Sequence, residues 1–224
     1  MGLKHIPVRV ENFPFPLGTK FIEHGYTVLV ETGTYMGGTA LEAGKYFKRV
    51  HTIEASESLF RQAGENCKEN KSIFLYHGDT RELLPQILEK EKDAKIVFWL
   101  DAHYSGGETF NNANPLLQEL RTINAQTKDP IIFVDDARFI HSVYQGERYC
   151  EYGDFFKEIL SGDRYVSCID DTFVAVPRQF TPQVDAYSQE ISNWQWQQLA
   201  GPSSAKPKKK SWSKRLRKWL GISS

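Results

Sequence analysis

The chain has 224 residues, enough for one domain with a substantial core and too few for a second of comparable size. Its 28 Lys and Arg balance 28 Asp and Glu, which excludes a whole-chain attraction to nucleic acid, and no specific nucleic-acid partner is expected. Three cysteines, Cys67, Cys150 and Cys168, share no CxxC spacing, so neither a disulfide framework nor a zinc knuckle is expected and a reducing, cytoplasmic setting is. Met1 to Gly18 holds Lys4, His5 and Arg9 but no uninterrupted apolar core, and no later stretch approaches the ~20 apolar residues of a membrane span.

In chain order, Thr27 to Glu31 reads as a short β-branched strand that stops at a glycine turn, and Gly38 to Phe47 as the helix that follows. The unit repeats with strand Val50 to Glu54 and helix Ser56 to Lys68, then with strand Ile73 to Tyr76 and helix Thr80 to Glu91. Ile96 to Leu100 is apolar enough for a strand buried on both faces, and Asn111 to Asn124 is the next helix. Ile131 to Val134 is a fifth strand, followed by a helical region between Glu151 and Leu160. Arg164 to Ile169 and Thr172 to Val176 are joined at Asp170-Asp171, a tight hairpin signal. Strands alternating with helices and closing on a hairpin predict an α/β fold with a mostly parallel sheet, one antiparallel strand and helices on both faces.

Past Pro177 the composition changes to a Gln- and Trp-rich stretch and a Pro/Ser/Lys linker. The expected division is an N-terminal extension (1–26), a catalytic domain (27–178), the Gln/Trp-rich segment with its linker (179–210) and a basic tail (211–224). In that tail Trp212, Leu216, Trp219 and Leu220 lie near helical spacing among Lys214, Arg215, Arg217 and Lys218, the pattern of a basic amphipathic helix that docks on an anionic membrane surface or another polyanion, the alternative being a solvated extension.

The turn Glu31-Thr32-Gly33-Thr34-Tyr35-Met36-Gly37-Gly38-Thr39 lies between a strand and a helix, where glycines let a ligand approach the backbone and free N–H groups face it. The G-x-G-x-x-G spacing of a dinucleotide site is not met, and Glu31 would face a pyrophosphate with like charge, whereas it suits the ammonium of an amino acid. Glu54, about 20 residues past Gly33, ends the second strand, where a carboxylate accepts hydrogen bonds from ribose hydroxyls. Asp79, after Gly78 at the end of the third, either contacts an adenine amino group or caps the next helix. Three acids ending three successive strands lie along the edge where open α/β sheets bind ligands.

On these residues the chain resembles the class I S-adenosylmethionine-dependent methyltransferases, and the resemblance spans roughly Thr27 to Val176. It implies a Rossmann-like fold with a seven-stranded, mostly parallel sheet and a C-terminal hairpin. It gives the methionine part of the cofactor to Glu31, Gly33 and Gly37, the ribose to Glu54 and the adenine to Asp79. The candidate cofactor-binding set is Glu31, Gly33, Thr34, Tyr35, Gly37, Gly38, Thr39, Glu54, Ala55, Gly78, Asp79 and Asp101.

Asp101 ends the fourth strand and Asp135-Asp136 the fifth, so three carboxylates converge at neighbouring strand ends, a set of oxygens suited to Mg²⁺ or another divalent cation. The pattern is similar to the metal-dependent O-methyltransferases of the catechol and macrolide-sugar type, in which the metal binds a substrate diol and lowers its hydroxyl pKa. The alternative for these acids is a contact to cofactor or substrate and a loop cap. His103, two residues beyond Asp101, is the candidate general base, and Asp101 joins it as a candidate catalytic residue. Tyr104 begins a polar loop suited to cover a substrate, and Arg138 either binds an anionic substrate group or neutralises the neighbouring acids. His24, His51, His77 and His141 belong to no such constellation. The expected function is O-methylation of a sugar or polyhydroxylated small molecule. A dinucleotide-dependent oxidoreductase and a non-catalytic, membrane-associated accessory protein are the competing classes.

Overall fold

A computed structural model of the chain describes residues 13–102, 114–141, 143–144 and 147–200. Seven strands form one sheet: β1 (Tyr26–Thr32), β2 (Arg49–Glu54), β3 (Ile73–His77), β4 (Lys95–Leu100), β5 (Ile131–Val134), β6 (Arg164–Ile169) and β7 (Thr172–Pro177). Their order is β3-β2-β1-β4-β5-β7-β6. Strands β1 to β5 pair in parallel, whereas β7 runs antiparallel to both β5 and β6. The hairpin reverses direction at Asp170 and Asp171, both at positive φ, which Asp tolerates better than most side chains. The fold is thus the mixed α/β sheet expected, with β7 as its single reversed strand.

Strand order reverses between β1 and β4, where β1 lies between β2 and β4 and the two neighbouring crossovers leave in opposite directions. That arrangement opens a crevice at the carboxyl ends of β1 and β4. The central strands are apolar because helices cover both of their faces. Leu29, Trp99 and Phe133 turn to one side with Ala40, Cys67 and Val184, and Val30, Phe98 and Ile132 to the other with Leu84, Leu120 and Phe155.

The core crosses both borders of the 27–178 span expected from the sequence. Phe13, Leu17 and Phe21 precede it and are buried on the first face, where the Phe13 ring meets Trp99 and Phe133 edge to face at 5.7 and 5.0 Å. Beyond it, the helix Thr181–Ala200 buries Val184, Tyr187 and Ile191 on the same face. Smaller differences are local. The helix after β1 ends at Ala43, before Gly44, and the helix after β4 starts at Leu116, whose amide donates to the Asn114 side chain at 2.9 Å. A short helix, Ala137–His141, follows β5 directly. Among the described residues no helix is long and apolar enough to cross a membrane. The basic tail 211–224 and the sites His103 and Tyr104 lie outside the described residues.

Candidate functional site at the strand ends

The glycine turn is built by close approach of backbones. Gly33 has φ +86°, and a Cβ there would come within 2.5 Å of the Asp101 carbonyl oxygen at the end of β4. Gly37, at φ +84°, leaves room for Cys67 Sγ, which would lie 2.8 Å from a Cβ. Gly38 begins the helix Gly38–Ala43 and faces open space, so its hydrogen is not demanded by packing. Between them Tyr35 has φ +50° and a largely exposed side chain, a left-handed backbone that is uncommon for an aromatic residue.

Glu31 and Glu54 are both buried at this turn. Thr52 Oγ1 donates to Glu31 Oε2 at 2.5 Å and lies 2.5 Å from Thr34 Oγ1. Burial pushes the Glu31 carboxyl up to about 8; the Thr52 bond opposes this, and the negative field of Asp101 adds to it. Glu54 is fixed differently, since its Oε2 accepts the Tyr35 amide at 2.8 Å and its Oε1 the Ser56 amide at 2.9 Å. These two bonds tie the glycine turn to the end of β2 and leave each oxygen a further lone pair. Ala55 is half-buried beside it.

Asp79 caps the helix Thr80–Lys90, accepting the Arg81 amide at 2.8 Å, and its two oxygens also receive the Arg81 side chain at 2.5 to 3.0 Å. The Arg81 pair holds this carboxyl below its ordinary range. An adenine contact at Asp79 would have to compete with that pair. Gly78, at φ +146°, makes the turn into the cap.

The acids after β4 and β5 share a neighbourhood. The Asp101 amide donates to the Thr32 carbonyl at 3.0 Å and the Asp135 amide to the Leu100 carbonyl at 3.1 Å, which sets both acids at the ends of adjacent strands. Arg138 Nη2 lies 2.5 Å from Asp136 Oδ1, and its Nη1 pairs with Asp171. Arg138 thus pairs with both acids. Among the described residues no group of three or more His, Cys, Asp or Glu is arranged to hold a metal ion. The Arg138 guanidinium supplies positive charge at Asp136.

Several residues at this edge carry no sequence motif. Tyr149 lines a small depression with Leu100, Ala102, Glu119, Val134 and Asp135. Burial raises its phenol, and the negative fields of Asp136, Asp101 and Asp135 add to the rise, so it stays a hydrogen-bond donor. Thr52 had one available signal, a polar residue inside a strand two positions before Glu54. Tyr149 had none, because its surroundings come from β4, β5 and the helix Leu116–Gln126, all distant in sequence. His51 is a structural histidine, with Nδ1 3.0 Å from the Tyr76 hydroxyl and Nε2 3.0 Å from Glu91 Oε1.

No family model and no curated protein matches the sequence. Solved structures do match its fold. The O-methyltransferase TomG of Streptomyces achromogenes, involved in tomaymycin synthesis and seen with S-adenosylmethionine, is 16% identical with a TM-score of 0.56, over 72% of this chain and 78% of that one. An O-methyltransferase of Bacillus cereus in complex with S-adenosylhomocysteine is 16% identical with a TM-score of 0.54, over 77% and 84% of the two chains. CalS10 of Micromonospora echinaspora, an amino pentose methyltransferase seen with S-adenosylmethionine, is 8% identical with a TM-score of 0.52, over 75% and 93%. At these identities the likeness is one of fold: the chain has the Rossmann-like architecture of these methyltransferases.

Proposed function

We propose that the protein is an S-adenosylmethionine-dependent methyltransferase that methylates a hydroxyl of a sugar-like or polyhydroxylated small molecule. The observation that carries this reading is the junction of β1 and β2, where Gly33 leaves a cradle against β4 and the pinned carboxylate of Glu54 stands beside a buried Glu31. A buried acid at the turn gains from pairing, once ionised, with the ammonium of an amino-acid moiety and gains nothing from a pyrophosphate. Glu54 keeps lone pairs for two ribose hydroxyls. The solved structures of the same fold, two of them bound to S-adenosylmethionine and one to S-adenosylhomocysteine, support the same cofactor.

When bound, S-adenosylmethionine supplies a methyl group on a sulfonium, which an oxygen can take in line. The chain's part is to orient the acceptor and to remove its proton. Asp101, at the end of β4, and Tyr149, whose phenol feels its charge, are the proposed contacts for neighbouring hydroxyls of the acceptor. His103 is the proposed base, since an imidazole takes a proton near neutral pH and this one follows Asp101 by two residues. A divalent cation is the other candidate for activating the hydroxyl, in which case Asp101, Asp135 and Asp136 would hold it.

Transfer of labelled methyl from S-adenosylmethionine to a panel of sugars and polyols tests the reading. His103→Ala should lower kcat by roughly 10²- to 10⁴-fold, the usual contribution of a general base. Turnover should survive EDTA; loss on chelation with recovery on adding Mg²⁺ would move hydroxyl activation to a metal. The stretch 211–224 is proposed to dock on an anionic membrane. Cosedimentation with phosphatidylserine vesicles that persists after its deletion would remove that role.

A further inference from the structure

Glu31 is an acid enclosed by an acidic neighbourhood. It is 1% exposed. The ionisable groups acting on it among the described residues are Asp101 after β4, Glu54 at the end of β2 and the Cys67 thiol on the helix Glu57–Cys67, and none of them is basic. Its hydrogen-bond donor is a hydroxyl, that of Thr52 on β2, and the Thr39 side chain on the helix Gly38–Ala43 also favours the charged form. Thr34 Oγ1, 2.5 Å from Thr52 Oγ1, stands behind Thr52 in the same chain of hydroxyls. An ionised carboxylate in such a place would be buried beside two further carboxylates with only hydroxyl dipoles to offset it.

We propose that Glu31 keeps its proton while the site is empty and gives it to solvent when the cationic end of the cofactor settles in the glycine turn, so that cofactor capture is coupled to proton release. The inference rests on S-adenosylmethionine being the cofactor. The exchange balances in charge: a neutral carboxyl and a free ammonium become a carboxylate–ammonium pair and a released proton. The raised pKa of the carboxyl, about 8, agrees with protonation of the empty site at neutral pH. Linkage sets the consequence. Binding strengthens as pH rises toward that value and levels above it, because only below it must a proton leave.

The test is calorimetry of the full chain with S-adenosylmethionine in buffers of differing ionisation heat. Glu31→Gln, nearly isosteric and unable to titrate, serves as the reference and reports any titration the cofactor itself contributes. Relative to that variant, the wild type should release most of one proton near about pH 7 and little near about pH 9, and its affinity should fall roughly tenfold per pH unit below the Glu31 midpoint. Equal proton counts in the two proteins, with both binding, overturn the inference and leave the cofactor assignment standing. Absence of binding by the wild type at every pH overturns both. Carboxyl ¹³C resonances of the empty wild type give a reading independent of the variant. A Glu31 titration near 8 is expected, and one near the ordinary 4.5 overturns the inference.

Discussion

Single residues separate the glycines that the site needs from those it does not. Gly33 combines positive φ with a backbone oxygen where a Cβ would stand, and a left-handed non-glycine residue alone costs about 1–3 kcal/mol. Gly33→Ala should therefore destabilise the fold by at least about 2 kcal/mol in urea unfolding and abolish cofactor binding. Gly38→Ala, with open space around it and a helical setting, should be neutral or slightly stabilising. Equal effects of the two substitutions would contradict the cradle. Both glycines read alike in the sequence, because the difference lies in the approach of Asp101 from β4. Glu31 and Glu54 were legible from their places at strand ends. The role of Asp79 was not decided there, since the same residue type caps helices and binds adenine; its bond from the Arg81 amide shows the cap and leaves the adenine contact to the proposal. The acids after β4 and β5 were legible as neighbours, but Asp171, which shares Arg138 with Asp136, reaches the site only through the hairpin turn.

At the scale of elements, strands were easier to read than ends. Runs such as Ile131–Val134 and the Asp170-Asp171 turn carry strong local signals, so strand existence and the hairpin follow from the chain itself. The terminal helix Thr181–Ala200 does not announce its packing, because only Val184, Tyr187 and Ile191 are buried among mostly polar neighbours. Their spacing of three and four residues is a narrow apolar stripe, easily passed over beside a conspicuous Gln and Trp composition. The stripe nevertheless lies in the core with Phe21, Phe180 and Tyr26. Truncation after Phe180 should thus lower the melting temperature sharply or prevent folding, whereas truncation after Ala200 should leave it nearly unchanged. Ile191→Ala in the full chain should cost roughly 2–4 kcal/mol. A chain ending at Phe180 that melts like the full protein would show that the helix is an appendage.

For the whole molecule, the sheet order and its switch between β1 and β4 bring the glycine turn, Glu54 and Asp101 to one edge. Folds of this architecture host many chemistries, so the central claim stands on the ligand that this edge accepts. Titration of the full chain with S-adenosylhomocysteine and, separately, with NAD measures that most directly. The account predicts saturable, one-to-one binding of S-adenosylhomocysteine and no measurable binding of NAD. Tight NAD binding without binding of S-adenosylhomocysteine would contradict it.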